Sequence, residues 1–246
     1  MTQQTDPAVL AEIFDAEVRD PADEVMPRYN VAPTDVISTV LQRDDGRFVE
    51  RMRWGFLPPW AKKPAEGARM INARAETVAS SPAFRGSFAR RRCIVPVDGF
   101  YEWDRIGGSK QPYLLRPPAE GVLAFAGIWT AWKDPGTGLW VPSAAVITTR
   151  ANDAIGVIHD RMPVLLPRDA WARWLDPALP DPGELQGLLE PAPDDVLLLV
   201  PVSRAVNSVR NDSPDLLVPV IPGADAPPPK VVAPPPPGPV QGTLFD

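Results

Sequence analysis

Short apolar segments, bounded by proline, glycine or charged residues, follow one another along the first 200 positions of the chain. Their content of β-branched and aromatic residues, in runs of about four to eight, is typical of β-strands. We predict strands at 35–41, 48–54, 93–97, 99–103, 113–116, 122–129, 143–149 and 196–200.

Helical spacing is rarer along the chain. Thr5-Asp6-Pro7 is a typical helix start, and the apolar side chains that follow fall on one helix face: Val9, Leu10, Ile13 and Phe14. Further helical stretches are predicted at 76–90, with interruptions at Pro82 and Gly86, at 151–158 and at 168–175. Many short strands with few long helices predict an α+β fold with a largely antiparallel, barrel-like β core and peripheral helices.

The composition changes after residue 220. Nine of the eighteen residues from Pro222 to Pro239 are proline. Such a segment neither buries a core nor pairs as a strand, so we predict one domain over residues 1–220 and a disordered, proline-rich tail over 221–246.

Composition and charge exclude several classes of protein. The chain has 246 residues, of which 44% are hydrophobic, enough for one domain-sized core. A single cysteine and a single histidine exclude an internal disulfide and a His/Cys zinc cage, and we predict no cofactor and no metal. The longest apolar run, 196–200, is too short to span a membrane, and the first residues show no export signal. These features predict a cytoplasmic protein with no membrane partner.

Charge is unevenly distributed. Residues 1–50 carry 4 basic and 11 acidic side chains, residues 51–116 carry 13 and 5, and residues 117–246 carry 8 and 15, for a net charge of −6. Such a chain is poorly suited to coating DNA, although the basic middle third leaves room for a local anion site. The alternative, favoured by charge alone, is that these arginines only solvate strands and helix ends.

Three segments place polar residues among apolar ones: 71–77, 98–103 and 158–163. Glu102 stands between Tyr101 and Trp103, where partial desolvation raises a carboxyl pKa and favours proton transfer. His159, followed by Asp160 and Arg161, is suited to donating a hydrogen bond or shuttling a proton. Taken singly, each of these residues also fits a purely structural role.

Together the segments resemble the SRAP family (SOS response-associated peptidase), the abasic-site processing proteins. The resemblance covers about residues 5–220 and rests on these motifs: RYNVAPT (28–34), RWGFLPPW (53–60), INARAET (71–77), RCIVPVDGFYEW (92–103), AFAGIW (124–129), ITTRAN (147–152), IHDRMPVLL (158–166) and PVSRAVNSVRND (201–212).

The resemblance implies the SRAP fold and a function in DNA repair. Family members bind single-stranded DNA, including junctions with duplex, and an amino-terminal cysteine exposed by Met removal captures the abasic sugar aldehyde. Its amine forms an imine and its thiol closes a thiazolidine, which gives a covalent protein–DNA cross-link. The implied location is the cytoplasm, with association to the nucleoid on DNA binding.

The resemblance also implies roles for individual residues. Glu102 is expected to move protons, His159 to hydrogen-bond a sugar oxygen, and Asn72 to orient the amine. The implied DNA contacts are Asn30, Trp60, Arg74, Trp103, Thr148, Arg161 and Arg204. The two tryptophans are expected to stack on or wedge against bases.

The amino terminus departs from the family, whose members begin Met-Cys-Gly-Arg whereas this chain begins Met-Thr-Gln-Gln. Cys93 has no free α-amine and is expected to pack as a small apolar residue. Either the true start lies a few residues upstream, or the nucleophile is lost and the protein only binds DNA. Retention of Asn72, Glu102 and His159 favours the first explanation. In an intermediate case, the amine of Thr2 forms a reversible imine and gives lyase-like activity.

Three classes of function therefore stay open. The leading one is a DNA-repair enzyme that cross-links abasic single-stranded DNA. The second is a non-covalent module for single strands or fork-like junctions. The third is a peptidase, for which self-removal of the first Met is more plausible than general proteolysis because no Ser/His/Asp set is evident.

The last residues carry a separate motif. Gln241, Leu244 and Phe245 form a Gln-x-x-Leu-Phe pattern after the proline-rich spacer. It resembles the peptides with which bacterial repair proteins bind the replication sliding clamp, where two apolar anchors supply most of the affinity. The alternative is that this short pattern arises by chance.

Overall fold

The computed structural model describes residues 1–19, 26–104, 110–179 and 181–222. These ranges contain eleven strands: β1 Glu17–Val18, β2 Val36–Arg43, β3 Gly46–Trp54, β4 Asn72–Arg74, β5 Arg92–Val97, β6 Phe100–Trp103, β7 Pro112–Arg116, β8 Leu123–Lys133, β9 Trp140–Arg150, β10 Arg161–Pro163 and β11 Leu198–Pro201. They also contain five α-helices: α1 Pro7–Phe14, α2 Arg85–Arg90, α3 Asp153–Gly156, α4 Trp171–Leu175 and α5 Pro182–Gln186.

Five of the described strands close into a barrel. Antiparallel pairing runs in the order β3–β2–β5–β8–β9, and a short parallel pairing of β3 with β9 closes the ring. In that pairing Arg53 lies opposite Ser143 and Trp54 opposite Ala144. The short strands β1, β4 and β10 extend the sheet, with β4 and β10 both pairing with β9.

Alternate residues of β8 enter different core clusters. Ala124, Ala126 and Ile128 belong to the cluster that the helices cover, whereas Leu123 and Phe125 belong to a second cluster that also contains Met1. Because successive strand side chains point to opposite faces, the two clusters lie on opposite faces of the barrel wall. Both faces of β8 are therefore buried.

Arg92, a buried cation at the start of β5, fastens two helices to the barrel. Its guanidinium donates to the carbonyl oxygens of Phe88 (2.9 Å) and Ala89 (2.6 Å) near the end of α2. It also donates to Trp174 (2.7 Å) and Asp176 at the end of α4. Carbonyls at helix carboxyl termini favour a cation, so this arginine replaces the partners that the helix ends lack.

A second, three-stranded antiparallel sheet has the order β6–β7–β11. Glu102 in β6 lies opposite Tyr113 in β7, and Val200 in β11 lies opposite Leu114. A small apolar cluster packs against this sheet and includes Val202 and Leu216. The second sheet thus stands beside the barrel and carries the predicted catalytic carboxylate.

The structure confirms the α+β class and the barrel. Most predicted strands are present, although the last one starts later, because 194–196 forms a 3-10 turn. The predicted helix at 76–90 is wrong over its first half, where turns precede α2, and the helix at 151–158 shortens to α3. Strands β1, β4 and β10 were not predicted. In α1, Leu10 and Phe14 are buried, but Val9 is exposed.

Cys93 is fully buried in β5, and burial raises the pKa of its thiol. The prediction that it packs as an apolar residue is confirmed. No helix in the described ranges is long and apolar enough to cross a membrane. The residues predicted for clamp binding, Gln241, Leu244 and Phe245, lie outside the described residues, as does most of the predicted tail.

Gly127 in β8 is expected to tolerate no side chain. A Cβ there would lie 2.9 Å from Cys93 Sγ and 3.2 Å from Val95 Cγ2. We expect Gly127→Ala to lower the free energy of unfolding by about 1–3 kcal/mol, as overpacked cores do. Gly121→Ala is the control, because a Cβ at Gly121 meets nothing within 4 Å. Urea denaturation that gave equal midpoints for the two variants would contradict the close packing.

Candidate functional site

A cleft of about 610 Å³ lies where the barrel meets the three-stranded sheet. Asn72, Glu102 and His159 all line it, although they come from β4, β6 and the turn before β10. The cleft also receives Met1. The structure therefore brings together the three residues that the motifs single out, and their catalytic roles stay predictions.

Strand β4 presents two polar side chains to the cleft. It pairs in parallel with β9, so that Asn72 lies opposite Val146 and Arg74 opposite Thr148. Ala73 between them is buried in the helix-covered core. Since side chains alternate along a strand, Asn72 and Arg74 share the other face, and both line the cleft.

Glu102 is held by its neighbours in β6. The hydroxyl of Tyr101 donates to the Tyr29 carbonyl (2.8 Å), and the indole N–H of Trp103 donates to Asn207 Oδ1 (2.7 Å). These bonds fix the strand on both sides of Glu102, whose side chain is 21% exposed. A carboxylate in this position is shielded but still open to a ligand in the cleft.

His159 faces Glu102 across the cleft. Its backbone N–H donates to the Ile155 carbonyl (3.0 Å), which ties it to α3. Nε2 lies 3.8 Å from Glu102 Oε2, while Nδ1 lies near the backbone of Arg161. The imidazole and the carboxylate are close enough for a small polar group to contact both.

Arg161 is largely committed to partners within the protein. Its Nη1 donates to Glu76 Oε1 (2.5 Å) and its Nη2 to Glu76 Oε2 (3.1 Å) and to the Thr148 carbonyl (2.5 Å). The hydrogen bonds from Arg161 are the main cause that lowers the pKa of the Glu76 carboxyl. Glu76 thus neutralises the charge of Arg161, a predicted DNA contact. The two residues are 85 positions apart, and the sequence motifs did not predict their pairing.

Residues 1–5 form an amino-terminal strap that leads into the cleft. Thr2 N–H donates to the Gly99 carbonyl (2.8 Å), and Gln3 exchanges two backbone hydrogen bonds with Arg28 (2.8 Å each). The Asp98 carboxylate accepts the backbone N–H groups of Gln4 (2.5 Å) and Thr5 (3.2 Å). The strap is therefore bonded on both sides along its length.

The α-amine of Met1 lies at the cleft end of the strap and donates to the Val31 carbonyl (3.2 Å). Burial is the main cause that lowers the pKa of this group to about 5, although the charges of Glu102, Asp35 and Asp212 act in the opposite direction. An amine at this place is neutral at pH 7, which is the nucleophilic form. Sequence reasoning considered Thr2 instead, which is fully buried.

Asn30 and Asp212 join the strap region to the 204–212 segment. The Asn30 amide donates to the carbonyls of Val206 (3.1 Å) and Asn211 (3.1 Å), and the residue is only 6% exposed. Asp212 accepts the N–H groups of Tyr29 (2.5 Å) and Asn30 (3.0 Å) and a hydrogen bond from Arg28. Although burial by itself would raise the pKa of Asp212, these bonds lower it. The side-chain amide of Asn30, a predicted DNA contact, thus donates its hydrogen bonds to the protein's own backbone.

The other predicted DNA contacts fall into two groups. Thr148, Trp103 and Arg74 line the cleft. Trp60 and Arg204 are not among its lining residues: Trp60 is 60% exposed beside Lys63, and Arg204 begins the 3-10 turn Arg204–Asn207. Among the described residues, no group of three or more His, Cys, Asp and Glu side chains is arranged to hold a metal ion.

A neutral amine can attack a carbonyl group, and a carboxylate and an imidazole in the same cleft can move the protons that the attack requires. The family model described as SOS response associated peptidase (SRAP) matches residues 1–209. The chain is a member of the SRAP family.

Two relatives of this SRAP chain show how far the similarity extends. It is 40% identical over 210 residues to the abasic site processing protein YoqW of Bacillus subtilis. This match covers 85% of this chain and 93% of that protein. It is 35% identical over 225 residues to the abasic site processing protein HMCES of Gallus gallus, covering 79% and 66% of the two chains.

Solved structures support the same SRAP fold. A protein from Bacteroides thetaiotaomicron superposes with a TM-score of 0.77 at 24% identity, over 89% of this chain and 98% of that one. A protein from Bordetella bronchiseptica superposes with a TM-score of 0.70 at 26% identity, over 82% and 98%. The fold of the described domain is therefore one already seen in crystals.

Asp212→Asn is expected to loosen the cleft wall in a pH-dependent way. At pH 7 we expect a loss of about 1–3 kcal/mol in the free energy of unfolding, because a charged acceptor of several hydrogen bonds is removed. The native state lowers the pKa of Asp212 from its ordinary 3.8. The difference from wild type should therefore be complete above pH 3.8 and shrink as pH falls further, because protonation then weakens the wild-type contacts.

Chemical denaturation at pH 7, 5 and 3 measures this difference. Asp215→Asn is the matched control, since Asp215 is exposed and, among the described residues, its carboxylate accepts one long hydrogen bond (3.4 Å) from Ser213. A loss of stability that stayed the same from pH 7 to pH 3 would show that the charge of Asp212 is not what holds the segment.

Proposed function

We propose that the protein processes abasic sites in single-stranded DNA by covalent capture of the sugar aldehyde in the cleft. The observation that carries the proposal is the meeting of Asn72, Glu102 and His159 around the end of the amino-terminal strap. The names of the relatives support the same substrate, since both are called abasic site processing proteins.

The proposed chemistry begins with an amine at the end of the strap. A neutral α-amine adds to the aldehyde carbon, the carbonyl oxygen takes up a proton, and loss of water gives an imine. In an amino-terminal cysteine, the thiol then adds to the imine carbon, and its proton passes to the nitrogen, which closes a thiazolidine. No oxidant or reductant is needed.

The cleft offers a group for each proton transfer. Glu102 accepts a proton from the attacking amine and returns one to the departing water, a role that requires a carboxylate within hydrogen-bond reach of the reacting groups. His159 contacts the sugar oxygen, which its 3.8 Å separation from Glu102 allows. Asn72, on the cleft face of β4, orients the amine. In the 246-residue chain, burial keeps the Met1 amine neutral in this cleft.

The nucleophile is proposed to be a cysteine of a Met-Cys-Gly-Arg start that precedes Thr2. The strap supports this, because its hydrogen bonds to Gly99, Arg28 and Asp98 lead the chain into the cleft at Met1, and the cysteine of such a start lies only two residues before that position. An internal thiol cannot replace it: Cys93 has no α-amine and is buried. The 246-residue chain itself, through the amine of Met1, can form an imine but no thiazolidine.

Single-stranded DNA is proposed to enter past Arg74. This arginine is exposed, lies on the cleft face of β4 and is two residues from Asn72. Phosphate contacts position a strand without reading its sequence, which suits a lesion that can occur anywhere. Trp103 lines the same cleft and offers an aromatic face for stacking next to the missing base.

The alternative is a module that binds single strands or fork-like junctions without covalent chemistry. It shares the cleft and the salt dependence of binding but predicts no cross-link. Self-removal of an initiator Met is compatible with the leading proposal, because it frees the amine. Neither alternative explains why a carboxylate and an imidazole face each other in the cleft.

Cross-linking is the test of the proposal. The protein with a Met-Cys-Gly-Arg start ahead of Thr2 is mixed with uracil-excised single-stranded DNA, and we expect a heat-stable shifted band in denaturing gels. Glu102→Gln in that protein should slow band formation by roughly 10²–10⁴-fold, the range for losing a general acid–base group. Glu184→Gln, an exposed carboxylate paired with Arg173, should leave the rate unchanged.

A version with serine in place of the new cysteine separates the two steps. It keeps the α-amine but lacks the thiol, so we expect a band only after borohydride reduction of the imine. Salt-dependent binding of the abasic strand without any band from the cysteine version would instead establish the non-covalent module.

We further propose that the tail docks on the replication sliding clamp through Gln241, Leu244 and Phe245. The support is sequence alone: two apolar anchors follow a proline-rich spacer, which at about 3.1 Å per residue extends up to roughly 55 Å. Such a tether would keep the repair domain close to replicating DNA.

A labelled peptide of residues 234–246 titrated against purified clamp tests the docking. We expect saturable binding, lost in a Leu244→Ala, Phe245→Ala peptide because both anchors are removed. Equally negligible binding by the two peptides would show that the pattern arises by chance.

A further inference from the structure

His159 is the only histidine in the chain, and its ring can carry the proton on either nitrogen. With the proton on Nε2, the neutral ring donates a hydrogen bond toward Glu102 and the cleft. With the proton on Nδ1, it offers the cleft a lone pair instead. The two tautomers would assign opposite roles to His159.

The register of β10 leaves the backbone of Arg161 without a partner on β9. Ala151 N–H donates to the Asp160 carbonyl (3.0 Å), and Val164 N–H donates to the Ile147 carbonyl (2.9 Å). Bonded and non-bonded pairs alternate in an antiparallel ladder, so Arg161 and Arg150 form a non-bonded pair. The N–H and C=O of Arg161 therefore point away from β9.

The imidazole of His159 lies against this free edge. Its Nδ1 is 3.1 Å from Arg161 N and 3.0 Å from Arg161 O. A backbone N–H keeps its proton at every physiological pH and needs an acceptor, and a protonated Nδ1 would place two N–H groups face to face. A protonated Nδ1 could donate to the Arg161 carbonyl oxygen instead, but a carbonyl left without a donor is more common in proteins than an N–H left without an acceptor. We propose that Arg161 N–H holds Nδ1 unprotonated and so fixes the neutral ring of His159 with its proton on Nε2.

The side chain of Arg161 keeps that N–H in place. Its guanidinium is bonded at both ends to the Glu76 carboxylate and also to the carbonyl oxygen of Thr148 on β9. Such a two-point ion pair restricts the arginine more than a single hydrogen bond does. Glu76 and Arg161 are therefore positioning residues, which act on the reaction through His159.

Besides the Arg161 carbonyl, one charged group opposes this arrangement. Asp160 Oδ1 lies 3.6 Å from Nδ1, and a carboxylate there favours a proton on Nδ1. The Asp160 side chain is 88% exposed, so solvent screens its charge, and 3.6 Å is too long for a hydrogen bond. Glu102 Oε2, 3.8 Å from Nε2, is also beyond hydrogen-bond distance, but its side chain is only 21% exposed, so its charge is screened less and favours a proton on Nε2. Taken together, the groups around the ring favour the tautomer with its proton on Nε2.

The consequence for the reaction rests on the proposed function. A ring with its proton on Nε2 donates a hydrogen bond to the sugar oxygen, while the Glu102 carboxylate accepts protons from the amine. The tautomer itself depends on neither DNA nor the cysteine, so it can be measured on the free protein.

Long-range ¹H–¹⁵N NMR of the tag-free, ¹⁵N-labelled 246-residue chain tests the proposal at an alkaline pH where the ring is neutral. A single histidine gives one pair of ring-nitrogen signals. The same chain unfolded in urea supplies the reference ratio of the two tautomers. We expect the folded protein to favour Nε2–H by roughly tenfold more than the unfolded chain, the factor that about one net hydrogen bond gives.

Two variants separate the causes. Glu76→Gln should return the ratio toward the unfolded value, because Arg161 loses its ionic partner, whereas Asp160→Asn should leave the preference for Nε2–H in place. A wild-type ratio equal to that of the unfolded chain, or a dominant Nδ1–H form, would overturn the proposal. A tautomer ratio that changed in Asp160→Asn but not in Glu76→Gln would also overturn it. An absent DNA cross-link would leave these NMR results unaffected and would count only against the proposed function.

Discussion

Strand β9 supports both the barrel and the cleft, because within the described residues it pairs with four other strands. Its first half bonds to β8 and β3, which closes the barrel, and its second half bonds to β4 and β10. Thr148 therefore lies opposite Arg74 on one side and Pro163 on the other. If β4 paired with β9 one residue out of register, Ala73 would face the cleft, and Asn72 and Arg74 would face the core.

Carboxylates hold the irregular parts of the structure next to the cleft. Asp98 accepts backbone N–H groups from the amino-terminal strap, and Asp212 does the same for residues 29–30. These N–H groups belong to no strand ladder, so an acceptor must come from a side chain if they are not to remain unpaired. Two loops and the chain terminus are thus given fixed positions without any additional secondary structure. Irregular segments can then line the cleft and still be well placed.

The sequence predicted the parts of the fold that its periodic apolar pattern encodes, and the family motifs pointed to the three residues that meet in the cleft. Short strands escaped prediction for a physical reason. Strands β4 and β10 have three residues each and contain Asn, Ala and Pro, which are weak strand formers, and they exist because β9 offers them an edge. The pairing of Arg161 with Glu76 was equally out of reach, since a contact between residues 85 positions apart leaves no periodic signal.

The burial of Cys93 has a chemical consequence beyond packing. Oxidants and electrophiles react with the thiolate, and burial both raises the pKa of this thiol and keeps reagents away from it. The domain therefore carries no reactive thiol of its own in its described part. Oxidative stress, which damages DNA and modifies exposed cysteines together, would leave the barrel unmodified at this position. Any thiol placed at the end of the strap would then be chemically distinguishable from Cys93, so that alkylation or mass shifts there could be assigned without ambiguity.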